Sequence, residues 1–382
     1  MKMTTAMSDS GGENWDSVEP ATAEGQQSFK CAQCGAKMTF VPGSAVQRCP
    51  YCEHENAIPQ SEEDIQELDF HQYLAQAGAG EEMVEQLTIK CQGCGAESTF
   101  NENITSKQCP FCGMDIVATA KSRKSIKPQS LLPFHIDQRN AQERFRGWLK
   151  KLWFAPSALK KMAVQDTGLN GMYIPYWTYD SYTTTFYRGQ RGTYYYVTET
   201  YTTTENGQRV TKTRQVRKIR WRNVSGTVWN NFDDILVMAS SSISTKYADK
   251  LEPWDLENLI NYQDAYLSGF RAESYQIDLA QGFGIAQKKM QPIIDTAIRR
   301  DIGGDEQRIS SKKSQYANIT FKHLLLPIWI SSYRFKEKIY QFLVNGRTGE
   351  VQGERPWDWL KIALTGGGIA ALIGILYYLS TL

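Results

Sequence analysis

The feature that most restricts this chain is the placement of its eight cysteines, at positions 31, 34, 49, 52, 91, 94, 109 and 112. They read CAQCGAKMTFVPGSAVQRCPYC and CQGCGAESTFNENITSKQCPFC, two copies of C-x2-C-x14-C-x2-C, each cysteine of the first recurring 60 positions later. Lys30/Lys90, Gly35/Gly95, Ala36/Ala96, Thr39/Thr99, Phe40/Phe100 and Pro50/Pro110 coincide too, so one small module is duplicated. Two residues between cysteines let a tight turn aim both thiolates at one ion. Two such turns complete the closed tetrahedral set of a structural Zn²⁺ site. A module of about 25 residues is too small for a hydrophobic core, so the metal must supply most of its folding energy. Cys31, Cys34, Cys49 and Cys52 are thus expected to hold one Zn²⁺, and Cys91, Cys94, Cys109 and Cys112 a second. Disulfides compete poorly, because Cys-x-x-Cys pairs make no extended framework and no secretory signal is evident. Rubredoxin-like iron also suits such turns, but the interval between the knuckles is that of a zinc ribbon.

The rest of the chain divides by composition. Residues 1–28, rich in Ser, Gly, Glu and Thr, read as a disordered tail without a signal peptide. Zinc ribbons over 29–56 and 89–118 flank an acidic helical linker, 57–88, which starts at Ser61 with Asp64 and relaxes into Gly78-Ala79-Gly80. KSRKSIK (Lys121–Lys127) marks a basic linker over 119–130. Residues 131–356 are expected to form a cytoplasmic α+β domain on an antiparallel sheet. In it Asp137 caps a helix carrying Ala141, Phe145, Trp148, Leu149 and Leu152 on one face. Further helices are expected over 256–266 and 280–300. The Tyr-, Thr- and Trp-rich run from GMYIPYWTYD to Ser240 predicts strands, with a hairpin at Glu205-Asn206-Gly207-Gln208. On the return strand, alternation separates Lys212, Arg214, Lys218, Arg220 and Arg222 from Thr213, Ile219 and Trp221. That basic stripe is either a solvated face or a contact for anionic lipid, an acidic partner or nucleic acid. IPYWTYDSY (174–182) echoes LPIWISSYR (326–334), which suggests two related halves.

After Lys361 the chain reads IALTGGGIAALIGILYYLSTL, 21 residues without a charge. That length suits a bilayer crossing, placed over 360–380, and a mean hydropathy of −0.47 for the whole chain conceals it. Trp357 and Trp359 suit one interface and Tyr377 and Tyr378 the other; Arg355 and Lys361 keep the body cytoplasmic. Gly366, Ala370 and Gly374 form a small-xxx-small face that permits close helix packing and homo-oligomerisation. Forty-three basic against 41 acidic side chains exclude a strongly basic nucleic-acid coat.

No HExxH, GxSxG or phosphate-loop motif occurs, and the four histidines lie in unrelated contexts. His54 follows Cys52 by two positions, but four cysteines already satisfy the ion. Asp180, Asp233 and Asp234 read as strand-end or turn residues, so no catalytic residue and no enzyme is expected. The two CxxCGA…CPxC ribbons, LLPF, WLKKLWFAP (148–156), GMYIPYWTYD (171–180), LPIWISSYRFKEKIYQFLVNGRTGEVQGERPWDW (326–359) and the span together resemble the bacterial TFIIB-type zinc-ribbon membrane proteins. These are often labelled primosomal replication helicases, a label at odds with a chain lacking a phosphate loop. Members are encoded beside flotillin-like SPFH proteins and phage-shock-protein-A-like membrane-stress factors. The resemblance implies a membrane anchor or adaptor in envelope maintenance. With the metal modules and the single apolar run, the expectation is a tail-anchored adaptor in the bacterial inner membrane, its ribbons projecting on mobile linkers as recognition heads for a membrane-associated protein. A membrane-tethered nucleic-acid or transcription-machinery binder is the alternative. Two departures stand out: the long polar tail, and Glu53 where the second ribbon has Gly113.

Overall fold

The computed structural model describes residues 29–61, 63–76, 83–99, 109–114, 120–157, 168–205, 207–335 and 338–381. The tail and Gly78-Ala79-Gly80 fall outside these residues. Each cysteine module builds a small antiparallel sheet. In the first, β1 (Thr39–Phe40), β2 (Val46–Arg48) and β3 (Glu55–Ala57) pair in that order. After β4 (Leu68–Asp69) and helix α1 (Phe70–Gln76), β5 (Met83–Lys90) lies between β6 (Glu97–Thr99) and β7 (Ala120–Ile126).

Both linkers differ from expectation. Among its described residues the acidic one is helical only over α1, because tertiary partners capture the residues just before it. Leu68 and Asp69 pair with Phe321 and Thr320, and the buried Phe70 ring packs on Tyr179 and Phe283 at 6.3 and 5.0 Å. The basic linker is a strand: β7 runs along the open edge of β5, from Ala120↔Ile89 to Ile126↔Met83. A free sheet edge supplies the backbone partners that the segment would otherwise take from water.

The body continues through β8 (Ser130–Leu131), α2 (Gln138–Lys151), β9 (Asn170–Glu205), β10 (Gln208–Met238), α3 (Thr245–Ala248), β11 (Ile260–Asn261) and β12 (Arg271–Ala272). Helix α4 (Leu279–Ile302), β13 (Glu306–Phe335), β14 (Lys338–Asn345), β15 (Val351–Gly353) and α5 (Trp359–Thr381) follow. The main sheet runs β10-β9-β13-β14-β15 and the short strands add at its margins. Asp137 caps α2 by accepting from the Asn140 amide, and Ala141, Phe145 and Leu149 are buried. Asp278 and Gln281 form a capping box at the start of α4. The expected helix over 256–266 is instead two single turns, Leu256–Asn258 and Asp264–Leu267, separated by β11. Here Ile260 and Asn261 pair with Leu131 and Ser130, and Tyr266 is buried against Phe40, so the chain is held extended between sheet and first ribbon.

Residues 172–179 of β9 are buried on both faces. With a two-residue period, Tyr173, Trp177 and Tyr179 point one way and Met172, Ile174 and Tyr176 the other. Tyr173 joins a core with α2 and Phe40 of the first ribbon, and Trp177 and Tyr179 join one with α4. Met172, Ile174 and Tyr176 pack with Phe111 and the second-ribbon cysteines. The ribbons are therefore docked into the body, not projected on mobile linkers. Gln47 Nε2 donates to the Ala265 carbonyl at 3.0 Å and Gln341 Nε2 to the Phe111 carbonyl at 2.8 Å, fixing one ribbon each.

The two echoed segments are neighbouring strands and not separate halves. Ile174 pairs with Leu326, Pro175 with Leu325 and Tyr173 with Pro327. Each proline sits where one ladder ends: Tyr176↔Met238 is the last β10 pair before Pro175, and Ile328↔Asn345 the first β14 pair after Pro327. A missing N–H is tolerated at such positions. Beyond Gly192, which pairs with Glu306 at the start of β13, β9 and β10 continue as a two-stranded ribbon through Glu205↔Gln208. Those 13 pairs extend roughly 40 Å.

Candidate metal centres

Each cysteine pair is shaped by one backbone device used four times. The amide of Gly35 donates to the Cys31 carbonyl at 2.9 Å, and those of Glu53, Gly95 and Gly113 to Cys49, Cys91 and Cys109 at 3.1, 2.9 and 2.8 Å. All four donors adopt positive φ: 73°, 57°, 76° and 71°. The knuckle thus demands a left-handed residue, glycine in three cases; Glu53 adopts it despite its Cβ, so the first knuckle keeps its geometry.

These turns converge the sulfurs. Cys31 Sγ lies 3.5 Å from Cys52 Sγ, and Cys34 Sγ 3.5 Å from Cys49 Sγ. In the second set Cys91–Cys112 and Cys94–Cys109 are 3.6 and 3.7 Å apart. A disulfide needs about 2.05 Å. Tetrahedral thiolates around an ion at about 2.3 Å stand roughly 3.8 Å apart, so the donor sets fit a metal ion. His54 contributes its backbone: its carbonyl accepts from the Cys49 amide at 2.9 Å, and its amide donates to the Cys52 sulfur. At such separations neighbouring sulfurs cannot all ionise, so some thiols are lowered while others are raised. Amides of Cys52 and Tyr51 bring Cys49 down to about 6. Cys109 donates to Cys94, bringing it down to about 5, and is itself pushed up. A cation would remove this conflict by favouring four thiolates at once. Cys31, Cys49, Cys91, Cys109 and Cys112 are buried, while Cys34, Cys52 and Cys94 face solvent.

The structure places Lys212, Arg214, Lys218, Arg220 and Arg222 on one face of β10, as alternation requires, but opposite acids that the strand alone did not reveal. Lys212 pairs with Glu205, and Glu199 holds Arg214 at 3.5 Å and Lys218 at 3.1 Å. Lys218, at the head of these contacts, holds the Glu199 carboxyl below its usual range. Arg214 and Arg220 also cover the Tyr201 and Tyr195 rings at 5.4 and 5.2 Å. The opposite face is less packed than expected: Ile219 is exposed, and Trp221 is covered by Arg308 at 3.9 Å.

Asp180, Asp233 and Asp234 do meet, at the bulge between Phe232 and Ile235. Their cationic partner, invisible in sequence, is Lys322, whose Nζ lies 2.8 Å from Asp234 and 3.1 Å from Glu67. Burial, reinforced by Glu67, raises the Asp180 carboxyl to about 7.

Helix α5 is long and apolar enough to cross a membrane: within Trp359–Ser380 an 18-residue window has mean hydropathy 1.9, and none of that window is buried. Its 22 residues reach about 33 Å, against a hydrocarbon core of about 30 Å. Gly366, Ala370 and Gly374 lie open on its surface.

No family model matches the chain, and no solved structure matches it. It is 30% identical over 246 residues to the uncharacterized protein YdjG of Bacillus subtilis (strain 168), an alignment covering 64% of this chain and 68% of that protein. With that identity over two thirds of the relative, the chain belongs to the same protein family as YdjG.

Proposed function

We propose that this protein is a non-enzymatic scaffold, anchored by α5 in the bacterial inner membrane with its body in the cytoplasm, that recruits a membrane-associated partner of the SPFH or membrane-stress type. The observation that carries the reading is α5: a 22-residue apolar helix with no part buried against its own protein has no stable place in water. The ions are Zn²⁺, each held by four thiolates in a reducing compartment; such closed sets leave no coordination position for a substrate. The partner class rests on the sequence resemblance to the zinc-ribbon membrane proteins. Docking of both ribbons makes them rigid parts of the recognition surface, which the exposed Cys34 and Cys94 edges would present.

Affinity purification of the full chain from bacterial membranes in several mild detergents is expected to recover an SPFH-domain protein, in amounts reduced by Cys34→Ser or Cys94→Ser. Recovery of the bare chain throughout would overturn the scaffold reading. The cations and tyrosines of the β9–β10 ribbon favour a second reading, a membrane-tethered nucleic-acid binder. Salt-dependent retention of DNA or RNA by the full chain, lost in Arg214→Glu/Lys218→Glu/Arg220→Glu, would support it.

A further inference from the structure

We propose that the turn between α2 and the residues that follow, Trp153–Ser157, is a second membrane contact: a non-spanning foot that seats the Trp153 indole in the headgroup zone of a phospholipid bilayer. The inference rests on the reading of α5 as a membrane anchor and adds a contact which that reading does not require.

Trp153 is 73% exposed, although the residues around it are packed: Leu152 and Ala155 are buried. The turn is rigid. Leu152 donates to Leu149, Trp153 to Lys151 and Ala155 to Leu152, at 3.2, 2.9 and 3.2 Å. Burying Leu152 and Ala155 therefore forces the indole between them outward. A large exposed indole on a fixed turn calls for an apolar or amphipathic surface to cover it.

The same turn is bolted to the start of the span. The Asp358 amide donates to the Phe154 carbonyl at 2.8 Å. Lys361 Nζ donates to the Ala155 carbonyl at 2.8 Å and to Ser157 Oγ at 3.1 Å. The Phe154 and Trp357 rings are 6.5 Å apart. Trp359 and Leu360, 75% and 70% exposed, are where α5 would enter the bilayer. Because residues 154 and 155 are hydrogen-bonded to residues 358 and 361, the turn is held at the depth of that entry point. Indoles prefer this depth, with the ring against acyl chains and the N–H toward water. The charges agree: Lys150 and Lys151 close α2 beside the turn, and Arg355 stacks on Trp357 at 4.4 Å, which suits lipid phosphates. Continuity with the span identifies lipid as the occupant in preference to a protein.

The test uses the full chain reconstituted in vesicles of phosphatidylglycerol and phosphatidylethanolamine, with p-benzoylphenylalanine replacing Trp153, Trp359 or Trp229. Trp229 is exposed on β10, opposite Thr184, well up the sheet. After irradiation, mass spectrometry is expected to find lipid adducts at 153 comparable to those at 359 and several-fold above those at 229. Lipid at 359 with none at 153, a protein adduct at 153, or equal capture at 153 and 229 would overturn the inference and leave the anchor standing. Absence of lipid at 359 would instead remove the anchor, and this inference with it.

Discussion

At the scale of single residues, Glu53 and His323 show how local chemistry is set against the fold. Glu53 adopts φ 57° where its three counterparts are glycine. A left-handed conformation costs a residue with a Cβ about 1 kcal/mol. Glu53→Gly is thus expected to stabilise the first metal module by about that amount, read as roughly fivefold slower metal loss to a chelator. His323 is buried beside Trp177, with ring centroids 4.5 Å apart. Its Nδ1 donates to the Ile126 carbonyl at 3.0 Å, while Nε2 is buried with no hydrogen-bond partner among the described residues. Burial therefore lowers it to about 4 from the ordinary 6.5. The unfolded chain binds the proton first, so the contribution is whole above pH 6.5 and is lost as pH falls toward 4, by about 3 kcal/mol. His323→Asn, which can keep a donor to Ile126, should lower stability overall but flatten that acid limb. The check is the denaturant midpoint of both proteins across pH 4–7; parallel curves would refute the assignment.

At the scale of elements, the packing of α4 on the sheet turns on Gly282. A Cβ there would lie 2.3 Å from Tyr179 Oη and 2.9 Å from Trp177 Cδ1. Neither ring can easily retreat, since Tyr179 Oη donates to Leu279 at 2.7 Å and Trp177 Nε1 to Ile277 at 2.9 Å. Gly282→Ala would gain up to about 1 kcal/mol of helix propensity, against an overpacking cost of about 1–3 kcal/mol. The variant is expected to be less stable by about 1–2 kcal/mol in urea unfolding. The helix expected over 280–300 is present as α4, and its buried face includes Phe283, Met290 and Ile294. The sequence carried no sign that a glycine on that face leaves room for the rings of the distant Trp177 and Tyr179. The same limit explains the misread segments: β7 and β11 take their conformation from distant strand edges, which no local window contains.

At the scale of the molecule, the metal modules share cores with the body. Phe40 packs with Tyr266 and Phe270, at 4.9 and 6.2 Å, and Phe111 is fully buried with Leu132 and Met172. Stripping both ions with a chelator should therefore lower the melting of the whole body, followed by fluorescence of the buried Trp177 and Trp329, by well over 5 °C. Unchanged body melting after complete metal loss would mean that the modules fold independently. The long β9–β10 ribbon, exposed beyond Gly192, lies outside these shared cores.

What the sequence by itself determined is whatever short-range spacing encodes: eight sulfurs in two sets of four, the period of α2, the alternation along β10 and the apolar run of α5. Each depends on residues close enough that backbone geometry alone relates them. Only the tertiary structure decided that the ribbons dock, that the echoed segments pair side by side, that Glu199 faces Arg214 and Lys218, and that the turn after α2 is tied to the start of α5. Those relations arise when distant segments compete for the same buried surface and the same backbone partners, a competition settled by the whole chain at once.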